Sequence, residues 1–334
     1  MKDWILTRRD LLRGTILSAA LSFSASGNTA NRAVLTSPLG VLPGNILKSL
    51  PSRWRFKLLE VYSAKDINEL IVDKDIDLLA LGDGWVKELA FKDFQRIEVN
   101  HLRRRLNQEA IIFSQSFGSE LSAKIFPIGF TPWAMLFRNG DYLLDKAQET
   151  WDVLLESDLK GSLVLPNSPR LVMTIADRIS YNEGLKRLRQ QVKTYDDKNA
   201  LNWVLSGRAK AVVLPLQYCM TALLSDPRLS VAIPREGAPL NWTFLTMPKA
   251  SNEDFPDSWV RKMWSLPLLG KLISRGWIPP LSYSEISKGT SSFPKLPALS
   301  FLSTEEHFQR LWSIPPVSKK NIQALQERWY ESAP

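Results

Sequence analysis

Short apolar runs alternate along this chain with stretches of helical spacing, separated by polar or glycine-bearing breaks. Over the first third the pattern predicts a strand at Arg32–Thr36, a helix at Pro43–Leu50, a strand at Phe56–Tyr62, a helix at Ala64–Val72 and a strand at Ile76–Leu81. Strands that alternate with helices predict an α/β architecture, in which the helices cover the faces of a largely parallel sheet. The strands lead into Ser37-Pro38-Leu39-Gly40 and Gly82-Asp83-Gly84-Trp85. In open parallel sheets, strand-end loops of this kind form the floor of a ligand site.

The stretch from Pro127 to Ala176 reads as strand, loop, short helix, tight turn, a second strand at Ser162–Leu165, and a polar turn that opens a helix. That turn is Asn167-Ser168-Pro169, with a capping Asn or Ser and a proline at the first helical position, where a missing N–H costs nothing. Ser282 to Thr304, rich in serine and proline, reads as a long surface connection before a final helix at Lys319–Trp329. No internal repeat or low-complexity tract interrupts the order.

The N-terminus changes the picture of where the chain acts. Thr7-Arg8-Arg9-Asp10-Leu11-Leu12-Arg13 is a twin-arginine export pattern, and Gly14–Ala25 is an apolar run of twelve residues. Spanning a bilayer as a helix takes roughly 20 residues, so the run predicts a removable signal over residues 1–26 rather than an anchor. Removing Met1–Ser26 takes away four basic and two acidic side chains and leaves a net charge of about +7. The remaining length and the 44% apolar composition suffice for a large core divided between two lobes.

Composition also excludes function classes. Cys219 is the only cysteine and His101 and His307 the only histidines, which rules out a disulfide framework and a cysteine-rich metal site. There is no HExxH, no GxSxG elbow, no P-loop and no GxGxxG after a strand. A carboxylate pair acting as general acid and base is the remaining enzyme alternative. Beyond the net charge, only the run His101-Leu102-Arg103-Arg104-Arg105 favours nucleic acid. It reads most simply as a solvated helix face, with a permease or anionic surface as its partner.

An ordered series of segments carries a family resemblance. It comprises Asp77-Leu78-Leu79-Ala80 with its Gly-Asp-Gly-Trp loop, Pro127 to Asn139, Thr150-Trp151-Asp152-Val153-Leu154-Leu155 and Lys160-Gly161-Ser162. It continues with Ser206-Gly207-Arg208-Ala209, Val231-Ala232-Ile233-Pro234-Arg235-Glu236-Gly237-Ala238 and Leu245-Thr246-Met247-Pro248-Lys249. Over residues 33 to 281 this series resembles the extracellular solute-binding proteins of ABC transporters, and among them the spermidine/putrescine-binding proteins. The resemblance implies a type II periplasmic-binding-protein fold of two lobes, with a ligand cleft between them and two chain crossings as a hinge. Lobe one would take 32–131 plus 246–334, and lobe two 132–245.

The resemblance further implies capture of a small polar solute, a polyamine or a related compound, and its delivery to an ABC permease in the membrane. The expected protein is a periplasmic monomer exported by the twin-arginine translocase, with the thylakoid lumen as the equivalent site in a photosynthetic cell. No reaction, cofactor, metal or nucleic acid is expected. Carried over position by position, the ligand-binding residues are Ser37, Asp83, Trp85, Trp133, Asn167, Ser168, Gln217, Asn241, Trp242 and Trp277. Read from the residues themselves, Trp85 and Trp133 serve equally as packing, Asp83 as an ordinary turn residue, and Asn167 and Ser168 as helix caps. Where the relatives carry acids at the capped turn, this chain has Ser168 and Leu171, so the alternative function is an envelope or lumenal assembly factor on the same fold. Changing Arg8 and Arg9 to Lys is expected to abolish export, checked by fractionating cells for the processed chain.

Overall fold

The computed structural model describes residues 32–60, 66, 76–87, 89–290 and 297–334; the twin-arginine segment and most of the helix expected at Ala64–Val72 lie outside them. The apolar runs become strands: β1 (Ala33–Pro38), β2 (Trp54–Leu59), β3 (Leu78–Gly82), β4 (Phe126–Arg138), β5 (Leu163–Leu165), β6 (Val192–Tyr195), β7 (Ala211–Pro215), β8 (Leu229–Ala232) and β9 (Leu240–Thr246). They join in the order β2-β1-β3-β9-β4-β7-β5-β6, with β8 also on β4. The strands β1, β5 and β7 are buried along their whole length. Parallel neighbours covered on both faces take such near-continuous runs of Val, Leu and Ala.

One strand organises the rest. The thirteen-residue β4 pairs antiparallel with β9 from Phe126 to Pro132, then with β7 from Trp133 to Phe137 and with β8 from Met135 to Arg138. The change of partner falls at Pro132, whose missing N–H lets a ladder end there without leaving an unpaired donor. The return differs from expectation: β9 already pairs with β3 and with the first half of β4, so sheet pairing puts the return before Leu240 rather than at 245–246.

Five tryptophans, Trp151, Trp242, Trp259, Trp264 and Trp277, are fully buried. Four of them place the indole N–H on an acceptor: Gly237 O, Ser313 Oγ, Ser49 Oγ and Ile128 O, at 2.9–3.1 Å. Large rings fill the core while their one polar atom stays satisfied. The Trp277 Nε1 has no partner.

Three expectations are corrected. The Gly82-Asp83-Gly84-Trp85 segment is a helical turn (Asp83–Val86) with Gly82 as its extended N-cap, not an open loop. Within Ser282–Thr304 lies a helix, Tyr283–Thr290. Ser282 caps it, with the Glu285 N–H donating to Ser282 Oγ at 3.4 Å and the Ser282 hydroxyl donating to Glu285 Oε2 at 3.2 Å, and Ile286 is fully buried. Nor is the arginine run a solvated face. The Arg103 guanidinium donates to the carbonyls of Ile97, Ser122 and Ile125 and lies 5.5 Å from the Phe126 ring centroid, while Arg105 pairs with Glu285 at 2.7 Å.

The C-terminal helix (Lys319–Glu331), expected with lobe one, docks on the other half of the molecule. Arg328 pairs with Asp177, and Arg189 covers the Trp329 ring at 4.0 Å and donates to the Trp329 carbonyl. On the way there the chain bonds beside the crossing, with the Leu240 N–H donating to Trp312 O and the Trp312 N–H to Ala238 O.

Gly129, on β4 next to the change of partner, packs against Trp277 so closely that a Cβ would sit 2.1 Å from the indole. Gly129→Ala is expected to lower stability by about 1–3 kcal/mol, read as a lower urea midpoint with an unchanged slope.

Candidate functional site

The C-terminal ends of parallel strands from both halves of the sheet converge where β4 and β9 cross. Gly40 follows β1, Asp83 follows β3, Asn167-Ser168-Pro169 follows β5, and Gln217 and Tyr218 follow β7. The halves meet directly: Gln217 Nε2 donates to Gly40 O at 2.9 Å, and Tyr218 Oη donates to the same carbonyl at 3.0 Å. The Gln217 N–H donates to Thr131 Oγ1 at 3.2 Å, tying the first turn of the Leu216–Leu223 helix to the crossing itself. Gly40 has φ +85°, and a Cβ there would lie 2.2 Å from Tyr218 Oη. The positive φ favours glycine, and a larger residue would displace the Tyr218 hydroxyl from its bond to the Gly40 carbonyl.

Asp83 opens its helical turn over the edge of β9. Burial pushes its carboxyl up to about 7, against the pull of hydrogen bonds from the Trp242 and Gly84 backbone and of the positive Arg170. Arg170 comes from the opposite half, as the second residue of the Pro169–Ala176 helix. Burial lowers its pKa while Asp83 raises it. The two side chains come from converging strand ends and lie near enough for their charges to interact.

The other expected residues divide by position. Ser168 caps its helix, its Oγ accepting from Leu171 N at 3.4 Å, and the exposed Asn167 donates its N–H to Asp197 Oδ1 at 3.0 Å. Asn241 is half-buried and pairs with Thr131 across β9 and β4. Trp133 is half-buried beside Pro215, with its N–H on Pro239 O at 2.9 Å. Ser37 lies inside β1 rather than in a loop; it is fully buried, and its hydroxyl donates to Pro38 O. Trp85 packs on a small cluster with Ile76, Leu79, Leu81, Leu89 and Phe94.

Trp242 is fully buried among Phe113, Phe130 and Phe244, with its N–H on Ser313. It is a core residue rather than a cleft wall, because alternation along β9 turns it to the face opposite its neighbours Asn241 and Thr243. Trp277 is also fully buried, on Gly129, and the preceding Gly276 abuts the backbone of Leu216 and Gln217. Sequence reasoning missed Arg170, Thr131 and Gly40. Of these only Gly40, after a strand in a Ser-Pro-Leu-Gly turn, carried a local signal.

Among the described residues no group of three His, Cys, Asp or Glu side chains is placed to hold a metal ion, and no helix is long and apolar enough to cross a membrane. What the site offers is one acid, one guanidinium, an amide, hydroxyls and strand-end backbone, a set suited to holding a small polar molecule by hydrogen bonds and charge.

No family model matches the sequence, and no curated protein matches it. Solved structures do. The spermidine/putrescine ABC transporter substrate-binding protein of Streptococcus pneumoniae superposes with a TM-score of 0.65 at 12% identity, covering 90% of this chain and 98% of that one. The substrate-binding protein of an ABC transporter from Agrobacterium tumefaciens gives 0.62 at 14%, covering 92% and 96%. A ferric binding protein from Campylobacter jejuni gives 0.55 at 13%, covering 90% and 99%. The chain has the two-lobed type II solute-binding fold that the resemblance implied, and its structural neighbours include the spermidine/putrescine proteins named from the ordered segments.

The Asp83 shift has a signed consequence. With a folded pKa of about 7 against the ordinary 3.8, the unfolded chain ionises first as pH rises. Asp83 therefore destabilises the fold increasingly from about pH 4 and fully above about pH 7. The melting temperature of Asp83→Asn relative to the parent is expected to be lowest near pH 4, to rise through pH 7 and then to level off. A difference that is flat across this range would contradict the buried carboxyl.

Proposed function

We propose that this chain is the solute-binding component of an ABC import system. It captures a small polar solute between its lobes and presents the closed form to a membrane permease. The observation that carries this reading is the pair of bonds from Gln217 and Tyr218 to the Gly40 carbonyl, made between strand-end loops of the two half-sheets. Contacts of this kind form on closure and separate on opening about β4 and β9, so a solute touching both sides would favour the closed state by its differential affinity.

The solved structures sharing the fold include substrate-binding proteins of ABC transporters, which supports a binding role over an enzymatic one. Lobe one then comprises 32–131 with the segment after the return crossing, and lobe two the intervening residues up to that crossing. The ligand contacts are assigned to Asp83, Gln217, Asn241 and Ser168, with Trp133 and Trp277 at the pivot and Ser37, Trp85 and Asn167 at the margin. Export through the twin-arginine translocase would place the monomer in the periplasm.

A ligand present at 100 times its dissociation constant raises stability by about 2.7 kcal/mol. A melting screen of the chain lacking residues 1–26, with polyamines, amino acids, sugars and organic anions, is expected to give a clear upward shift with at least one class. Silence from every class would favour the assembly factor instead.

A further inference from the structure

We propose that the solute is a zwitterion, an amine-bearing carboxylate whose ammonium group lies at Asp83 and whose carboxylate lies at Arg170. This assignment rests on the solute-binding reading above and names its substrate class.

Arg170 stands apart from the other arginines of comparable burial. Six arginines are half-buried among the described residues: Arg103, Arg105, Arg138, Arg170, Arg189 and Arg328. Five of them spend their donors inside the chain. Arg103 binds three carbonyls, Arg105 binds Glu285, Arg138 binds Leu205 O and lies by Asp226, Arg189 binds Trp329 O and Ser332 Oγ, and Arg328 binds Asp177. Among the described residues the Arg170 guanidinium makes no hydrogen bond and no ion pair, although it feels the charge of Asp83. A partly desolvated guanidinium with five free donors is costly to maintain, and its planar fork matches a carboxylate in a bidentate pair.

Asp83 supplies the complementary end. It opens the turn after β3 on one half of the sheet, while Arg170 sits in the first turn after β5 on the other. No N–O distance between them falls within ion-pair range, so a gap separates the carboxyl from the guanidinium, which come from opposite halves of the molecule. A diammonium compound would satisfy Asp83 and meet repulsion at Arg170. A dicarboxylate would suffer the reverse. Only a molecule with both charges satisfies both ends and draws the two halves together. The carboxylate of Asp197, close in the fold to this turn, is engaged by the Asn167 N–H.

The test titrates the chain lacking residues 1–26 with glycine, β-alanine, γ-aminobutyrate and 5-aminovalerate, a series that varies only the spacing of the charges. Putrescine, succinate and glucose serve as comparators. At least one aminocarboxylate is expected to bind tenfold or more tightly than putrescine and succinate. Its affinity should fall more than tenfold in Asp83→Asn and in Arg170→Gln, while Arg170→Lys retains it to within tenfold, and melting curves confirm that each variant is folded. Putrescine or succinate binding more tightly than every aminocarboxylate, or an Arg170→Gln affinity within twofold of the parent, overturns the zwitterion while leaving a solute-binding protein. Silence from all these probes and from the wider melting screen overturns both readings.

Discussion

The strand β4 is the element on which the molecule depends, because its backbone belongs to both halves of the sheet. Its first seven residues hydrogen-bond to β9 and the remainder to β7 and β8, so neither half can form its ladder without fixing the register of the other. The change of partner at Pro132 concentrates the freedom to rotate at one point, since proline has no amide to leave unpaired there. Around that point the packing is tight: Trp277 lies on Gly129, and Gly276 abuts Leu216 and Gln217. Tightly packed cores move between discrete arrangements rather than deforming continuously, which suits a hinge.

The C-terminal tail adds a second tie between the halves. Ser313 takes the N–H of Trp242 in one core, Trp312 bonds the backbone at Ala238 and Leu240, and the last helix packs through Trp329 and Arg328 on the far half. The tail thus runs along the crossing instead of ending in lobe one. Any rotation about β4 must carry it along or slide it.

Polar groups in this chain are otherwise economical. Buried indoles find carbonyls or hydroxyls, and half-buried arginines find carbonyls or carboxylates, as the cost of desolvation requires. Buried side-chain atoms without a partner among the described residues include Thr36 Oγ1, Gln191 Oε1, Ser230 Oγ and the Nε1 of Trp277 and Trp312, while Asp83, its carboxyl raised by burial, and Arg170 stand at the converging strand ends. In a low dielectric such groups interact strongly with any polar or charged neighbour.

Much of the fold was legible in the sequence, because its signals are local. The continuous run Ala211 to Leu214 and the alternation of strands with helices specify buried parallel strands, and Ser168-Pro169 specifies a helix start wherever it stands. The capped helix at Ser282 was equally local but was obscured by the serine and proline around it. The site was legible only in part. Asp83 could be singled out because it follows a strand, but Gly40 and Tyr218 are 178 positions apart, and nothing near Arg170 marks it as different from Arg103. Whether an arginine is neutralised by three carbonyls or left open to a ligand depends on which distant segments the sheet brings beside it. The sequence by itself determined most of the strands and the helix starts. Only the tertiary structure decided which polar groups stay unpaired, because pairing is a property of neighbours in space and not of neighbours in the chain.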